Sequence, residues 1–110
     1  MRSLVFDELR PDQLETLHAY LDYHCTSSGL AGVYWLHLPQ YILSELQKSH
    51  TDCAPHGVAI VLEGLSLRIE LLVRGLYSLR CPCTNYADSV QRDYLLQFTD
   101  QMLNQLELAT

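Results

Sequence analysis

The stretch VAIVLEGLSLRIELLVR, residues 58–74, decides the fold predicted for this chain. Apolar and polar residues alternate most clearly in Leu67–Arg74, and a period of two is typical of a β-strand with one buried face. Val58–Glu63 is apolar at nearly every position, which indicates a more central strand. Because only residues 64–66 separate the two strands, they are predicted to pair as an antiparallel hairpin.

The two loops that flank this hairpin carry five of the nine histidines and cysteines of the chain. His50, Cys53 and His56 precede the first strand, and Cys81 and Cys83 follow the second. Since an antiparallel hairpin returns the chain to the point where it started, the two loops are expected to meet at one end of the sheet. The sequence therefore predicts a cluster of thiols and imidazoles at that end.

Periodic apolar residues predict three helices in the rest of the chain. The first spans residues 11–25 and begins with Pro11, which the first position of a helix tolerates. A short second helix is predicted over residues 40–49. The third and longest, residues 86–107, is predicted to follow an Asn85 cap.

Further strands are predicted beside the hairpin. Gly32–Leu38 is rich in β-branched and aromatic residues, as strands are. Gly75 is predicted to mark a bulge or bend, after which Leu76–Arg80 continues as another strand. Leu4–Phe6 is too short to distinguish a strand from a hydrophobic staple. The element order predicts an α+β fold: a two-layer sandwich in which an antiparallel or mixed sheet of three to four strands, with the hairpin 58–74 at its centre, packs against three helices.

Length and composition limit the number of domains and the classes of partner that are expected. A chain of 110 residues with 48% hydrophobic and 18% charged residues is typical of one globular domain, here residues 1–110. The low charged fraction favours apolar surface for a protein partner or for self-association, for example a homodimer through a sheet edge or the last helix. A net charge of -6 argues against nucleic acid, which needs clustered basic residues.

The sequence also predicts a compartment. It has no apolar run long enough for a secretory signal or a membrane helix, so a cytoplasmic location without membrane contact is expected. Thiols are kept reduced there. The even number of cysteines therefore does not imply disulfides, and metal binding or thiol reactivity becomes the better explanation for a cluster.

Zinc is the metal that this combination of residues favours, because it prefers four thiolate or imidazole ligands delivered in two pairs. His-x-x-Cys is a workable first pair, and Cys-x-Cys is a tighter second pair than the common Cys-x-x-Cys. An iron–sulfur centre would need four cysteines together. The plainer alternative is that the cysteines are unligated small hydrophobic residues. The predicted ligands are His50, Cys53, Cys81 and Cys83, with His56 or Cys25 as substitutes.

Two classes of function remain open from these residues. The leading hypothesis is a small cytosolic interaction or accessory domain without catalysis of its own, stabilised by zinc. The alternative is a thiol-based redox protein or an enzyme that uses Cys53, Cys81 or Cys83 as a thiolate. A disulfide across the single residue of Cys81-Pro-Cys83 would be strained, and no residue is evident that would orient a histidine base for Cys53.

A binding surface for an acidic group is a further hypothesis. Arg68, Glu70 and Arg74 fall on one face of a predicted strand. Their potential neighbours are Arg80, Arg92, Tyr77 and Tyr86. Arginine and tyrosine side chains suit amphipathic contact surfaces. The alternative is an ordinary solvated sheet face whose ion pairs contribute little.

Overall fold

The chain has an α+β fold, as its sequence predicts. A computed structural model describes residues 2–78 and 80–109. In these ranges three α-helices accompany seven β-strands. The strands are β1 (Ser3–Phe6), β2 (Thr26–Ser27), β3 (Val33–His37), β4 (His56–Glu63), β5 (Ser66–Glu70), β6 (Leu72–Gly75) and β7 (Asn85–Tyr86), and the helices are α1 (Pro11–His24), α2 (Glu45–Ser49) and α3 (Ser89–Ala109).

The strands form one open antiparallel sheet with β4 at its centre. β4 pairs with β3 on one side and with β5 and then β6 on the other, while β1 extends the sheet beyond β5. Ile60 lies opposite Ile69, which confirms the predicted antiparallel hairpin. The predicted size of three to four strands was too small. Because β2 and β7 have only two residues each, neither displays the alternation that would reveal it in a sequence.

The hydrophobic core lies between one face of the sheet and the helices. Alternate residues of the central strands point into it, including the fully buried Val58 and Ile60 of β4 and Ile69 of β5. Leu21 of α1 and Met102 of α3 belong to the same cluster. The longer helices and the sheet are therefore held together by burial of shared apolar surface.

The second strand of the hairpin is interrupted at Leu71, whereas the sequence placed the interruption at Gly75. The Leu71 N–H donates to the carbonyl of Arg2 (3.0 Å), and the Leu71 carbonyl accepts from the N–H of Ala87 (2.8 Å). These bonds take Leu71 out of the ladder with β4. The strand resumes as β6, where Arg74 lies opposite Gly57.

Leu76–Arg80 does not form the predicted strand in its described part, and Leu79 lies outside the described residues. The Leu76 N–H donates to the Pro55 carbonyl (2.7 Å), and the Tyr77 N–H donates to the Cys53 carbonyl (3.2 Å). These two bonds turn the chain across the loop that precedes β4. The segment after β6 is therefore tied to the first half of the candidate metal centre.

Two helix boundaries also differ from the prediction. The predicted helix 40–49 is divided into a 3₁₀ turn, Gln40–Ile42, and α2, because Ser44 caps a new helix by accepting from the N–H of Gln47. The long helix begins later than expected, since Asn85 pairs in β7. In the ranges that the structure describes, no helix combines the length and the apolar composition needed to cross a membrane.

Candidate metal centre

The first half of the site is built where α2 ends. His50 follows the last residue of α2, and Cys53 closes the short 3₁₀ turn Thr51–Cys53. The Cys53 N–H donates to the His50 carbonyl (3.1 Å), which places both side chains on one tight turn. The tight turn therefore brings the ligand atoms of the His-x-x-Cys pair close together.

The second half of the site is a turn between β6 and β7. The Cys81 N–H donates to the Ser78 carbonyl (3.1 Å), and the Thr84 N–H donates to the Cys81 carbonyl (3.1 Å). Within the turn, the Cys83 N–H donates to Cys81 Sγ (3.5 Å). An N–H directed at sulfur favours its thiolate form.

Gly75 allows the two halves to approach each other. A Cβ atom at this position would lie 2.5 Å from Cys53 Cβ and 2.9 Å from the Cys53 carbonyl oxygen. Because both distances are shorter than ordinary van der Waals contacts, any larger residue would push β6 away from the Cys53 turn. The two loops therefore approach each other only because position 75 is a glycine.

The four ligand atoms of His50, Cys53, Cys81 and Cys83 all lie within 4.8 Å of one another. Cys81 Sγ lies 3.1 Å from His50 Nδ1. Zinc–sulfur bonds of about 2.3 Å and zinc–nitrogen bonds of about 2.0–2.1 Å put tetrahedral ligands roughly 3.5–3.8 Å apart. The four residues are thus positioned to hold a metal ion, and the arrangement is compatible with zinc.

Ionisation of all three sulfurs of the cluster is unfavourable near neutral pH. Hydrogen bonding to Cys81 raises the pKa of the Cys53 thiol, and burial together with Cys81 raises the pKa of Cys83 to about 12. Burial also opposes ionisation of Cys81, but hydrogen bonds from the other two thiols outweigh it and lower the pKa of Cys81 to about 7. One thiolate therefore forms at the expense of the others. A divalent cation would stabilise all three.

The two substitute ligands have different positions. His56 is only 2% exposed, and its Nε2 lies 3.4 Å from Cys83 Sγ. Burial lowers the pKa of His56 and so favours the neutral ring, which in one of its tautomers directs an N–H at that sulfur. Hydrogen bonds of this kind orient metal ligands. Cys25, in contrast, is half-buried against the main core and is not part of the cluster.

A buried amide network supports the site and was not predicted. The side chain of Gln91 donates to Gln47 Oε1 (2.9 Å) and to the Ile42 carbonyl (3.1 Å), and Gln47 Nε2 donates to the Cys83 carbonyl (3.5 Å). Both glutamines also accept from the N–H three residues earlier in a capping arrangement. The patterns Ser44-x-x-Gln and Asp88-x-x-Gln, typical of helix starts, were the signal that could have identified them.

The charged residues predicted to share a strand face do come together. Glu70 lies 3.9 Å from Arg68 and 3.6 Å from Arg74, measured between carboxylate oxygens and guanidinium nitrogens. The guanidinium of Arg2 lies over the Tyr86 ring, 4.6 Å from the ring centroid. Tyr77 is exposed. Such long, partly exposed ion pairs contribute little to stability.

Chemically, the cluster offers a complete set of four protein ligands. Three thiolates and one imidazole around a tetrahedral ion are typical of structural zinc. No family model, curated protein or solved structure matches this chain. Any function proposed for this chain must therefore be argued from its own residues.

Proposed function

We propose that this protein is a small interaction or accessory domain without catalysis of its own, in which one structural zinc ion is bound by His50, Cys53, Cys81 and Cys83. The observation that carries this proposal is the grouping of the four ligand atoms within 4.8 Å. Four protein ligands fill the tetrahedral coordination of zinc, whereas catalytic zinc keeps one position for water or substrate.

The ligand types favour zinc over other metals. Magnesium and calcium prefer oxygen ligands, while thiolate and imidazole suit zinc. An iron–sulfur cluster usually takes four cysteines, and Cys25 lies outside this group. Zinc thiolates also require reduced cysteines, which supports a cytoplasmic location for a single domain comprising residues 1–110.

The proposed interaction role would bury large apolar side chains that lie at the surface. Leu30, Tyr41 and Val90 are among those exposed. Such residues suit contact with a protein partner or with a second copy in a homodimer. The net charge of -6 disfavours nucleic acid as that partner.

Metal analysis of three cysteine variants tests the proposal. The protein purified under reducing conditions is expected to contain one zinc per chain. Cys53→Ser and Cys81→Ser should each lose the ion and melt at a lower temperature, because ligation energy is folding energy. Cys25→Ser is the matched control, since it removes a thiol outside the cluster, and it should keep the ion. Cluster variants that melt with the parent would refute the assignment.

A thiol-based redox protein or enzyme using Cys53, Cys81 or Cys83 is the second candidate. It is favoured by the lowered pKa of Cys81, about 7, since a thiolate near neutral pH is nucleophilic. A thiol-specific reagent separates the candidates when applied to the native protein. Bound zinc with slowly reacting cysteines supports the structural site. A metal-free protein with one fast thiol at Cys81 supports the redox candidate.

A further inference from the structure

The edge strand β1 is paired on one side, with β5, in the residues that the structure describes. Proteins usually guard such an edge with lysine, proline, a bulge or a very short strand, because its unpaired N–H and C=O groups would otherwise bind another strand. β1 has the sequence Ser-Leu-Val-Phe and an unbroken register with β5. At the opposite end of the sheet, β2 has two residues only. β1 is therefore the less guarded of these two edges.

The hydrogen bonds to β5 determine which backbone groups of β1 point away from the sheet. The Leu71 N–H donates to the carbonyl of Arg2 (3.0 Å), in line with the register of the two strands. In an antiparallel ladder, alternate residues bond to the same neighbour. Leu4 and Phe6 therefore bond to β5, as Arg2 does. The N–H and C=O of Val5 point to the open side of the edge.

Apolar surface adjoins this open side. The side chain of Val5 is 53% exposed. A groove of about 480 Å³ beside it is lined by Phe6 and Leu9 and, from α3, by Leu103 and Leu106. Exposed apolar surface of this kind is typical of contact sites. A strand added to β1 would cover part of this surface and bond to the outward backbone groups at the same time.

Charges at the two ends of β1 favour a second copy of this chain as the added strand. Arg2 precedes the strand, Asp7 and Glu8 follow it, and all three are exposed. Antiparallel pairing of two copies brings the basic end of each strand to the acidic end of the other, and opposite charges across two strands are favourable. Arg2 contacts the Tyr86 ring through the face of its guanidinium, which leaves its N–H groups available to a carboxylate.

We propose that two copies of this chain pair through β1 and form one continuous antiparallel sheet. The two-fold axis lies at Val5, which exchanges both backbone hydrogen bonds with the partner's Val5. Ser3 then lies opposite the partner's Asp7, and Arg2 lies beside the partner's Glu8. This interface rests on the proposed interaction role, for which it names the partner and the surface, and it does not depend on the zinc ion.

The charges select this register among those that a two-fold axis allows. Moving the axis to Leu4 places Arg2 opposite the partner's apolar Phe6. Moving it to Phe6 leaves Arg2 beyond the partner's Glu8. With the axis at Val5, opposite charges meet at both ends of the paired strands.

A residue that pairs with its own copy allows a specific test. Sedimentation velocity of the full chain over a concentration series should show the mass of the parent rising toward that of a dimer. Val5→Asp and Val5→Lys should each raise the dimer dissociation constant by about tenfold or more, because like charges then face each other. An equimolar mixture of the two variants should recover dimerisation, since each mixed dimer pairs a carboxylate with an ammonium group. Val90→Asp is the matched control: Val90 is 56% exposed on α3, and this variant should associate like the parent.

Amide hydrogen exchange measured by NMR locates the contact. The N–H groups of Leu4 and Phe6 should be protected at every concentration, because they bond to β5, whereas the Val5 N–H should become protected only as the dimer forms. A parent that stays monomeric throughout the series, a mixture that stays monomeric, or a Val90→Asp variant that dissociates like Val5→Asp would each overturn the proposal. Zinc content measured on the same samples tests the metal centre separately, since a monomer that holds one zinc ion would overturn the interface alone.

Discussion

Two regions of this protein are buried to a similar degree but differ in what can stabilise them. Leu21, Ile60 and Ile69 of the main core are 0% exposed, and Cys53, Cys81 and Cys83 form a separate cluster with exposures of 7%, 6% and 1%. The core gains about 25 cal/mol for each Å² of apolar surface removed from water. Three thiols gain little in this way, and they repel one another once ionised. Burial alone therefore does not show what holds a region together.

Removal of the proposed zinc ion from the cysteine cluster should produce the largest effect on stability. We expect a strong chelator to lower the free energy of unfolding by several kcal/mol. The binding free energy of structural zinc in small peptides is about 10–16 kcal/mol. The parent protein and Cys81→Ser should be compared by denaturant unfolding with and without chelator. The variant should show no further loss with chelator. A further loss equal to that of the parent would contradict the assignment of Cys81.

Leu21→Ala tests the other region. Truncation of this fully buried side chain is expected to lower the free energy of unfolding by about 2–5 kcal/mol, because a cavity remains in the core. Changes in separate regions have additive effects on the free energy of unfolding. The loss measured by denaturant unfolding should therefore be the same for zinc-loaded and chelated protein. A loss that disappears on chelation would show that the core depends on the ion.

Gly75→Ala tests the contact that joins the sheet to the cluster. Because the new Cβ would lie 2.5 Å from Cys53 Cβ, we expect a loss of stability of about 1–3 kcal/mol together with weaker zinc binding in a competition titration with a chromophoric chelator. Gly64→Asn is the control. A side chain at Gly64 meets nothing within 4 Å, and asparagine tolerates its positive φ. Unchanged zinc affinity in Gly75→Ala would exclude the proposed steric role.

Gln91→Leu should have an effect no larger than that of Gly75→Ala. It removes the donor to the buried Ile42 carbonyl and one of the two donors to Gln47 Oε1, which still accepts from the Ser44 N–H. The loss is expected to lower the free energy of unfolding by about 1–3 kcal/mol. Gln97→Leu is the control, since Gln97 is exposed on the same helix, and it should change stability by less than about 0.5 kcal/mol. Thermal melts of both variants compare them directly. Equal melting temperatures would show that the amide network is dispensable.

The features that the sequence predicted are those encoded by neighbouring residues. The hairpin follows from a period of two and a short turn, and its antiparallel geometry brings the segment of His50 and Cys53 toward that of Cys81 and Cys83. The full sheet could not be predicted in the same way. β1 joins it by pairing with β5 across more than half of the chain, and four residues are too few for periodicity to specify a strand.

The supporting groups of the site were harder to predict than the grouping of its four candidate ligands. Gln91 is polar and lies in an amphipathic helix, where burial is the exception. Its partners Gln47 and Ile42 are separated from it by more than forty positions in the chain. Composition and local spacing do not report such distant pairings. The close approach at Gly75 likewise depends on tertiary structure.

The positions of the four cluster residues in the sequence affect how the chain unfolds. His50 and Cys53 precede the central hairpin and Cys81 and Cys83 follow it, so an ion bound by all four closes a covalent-like ring around β4, β5 and β6. Ring closure reduces the entropy of the denatured chain, by an amount that grows with ring size. Amide hydrogen exchange in the metal-loaded protein should therefore be slowest in this hairpin, and the terminal helix should open first.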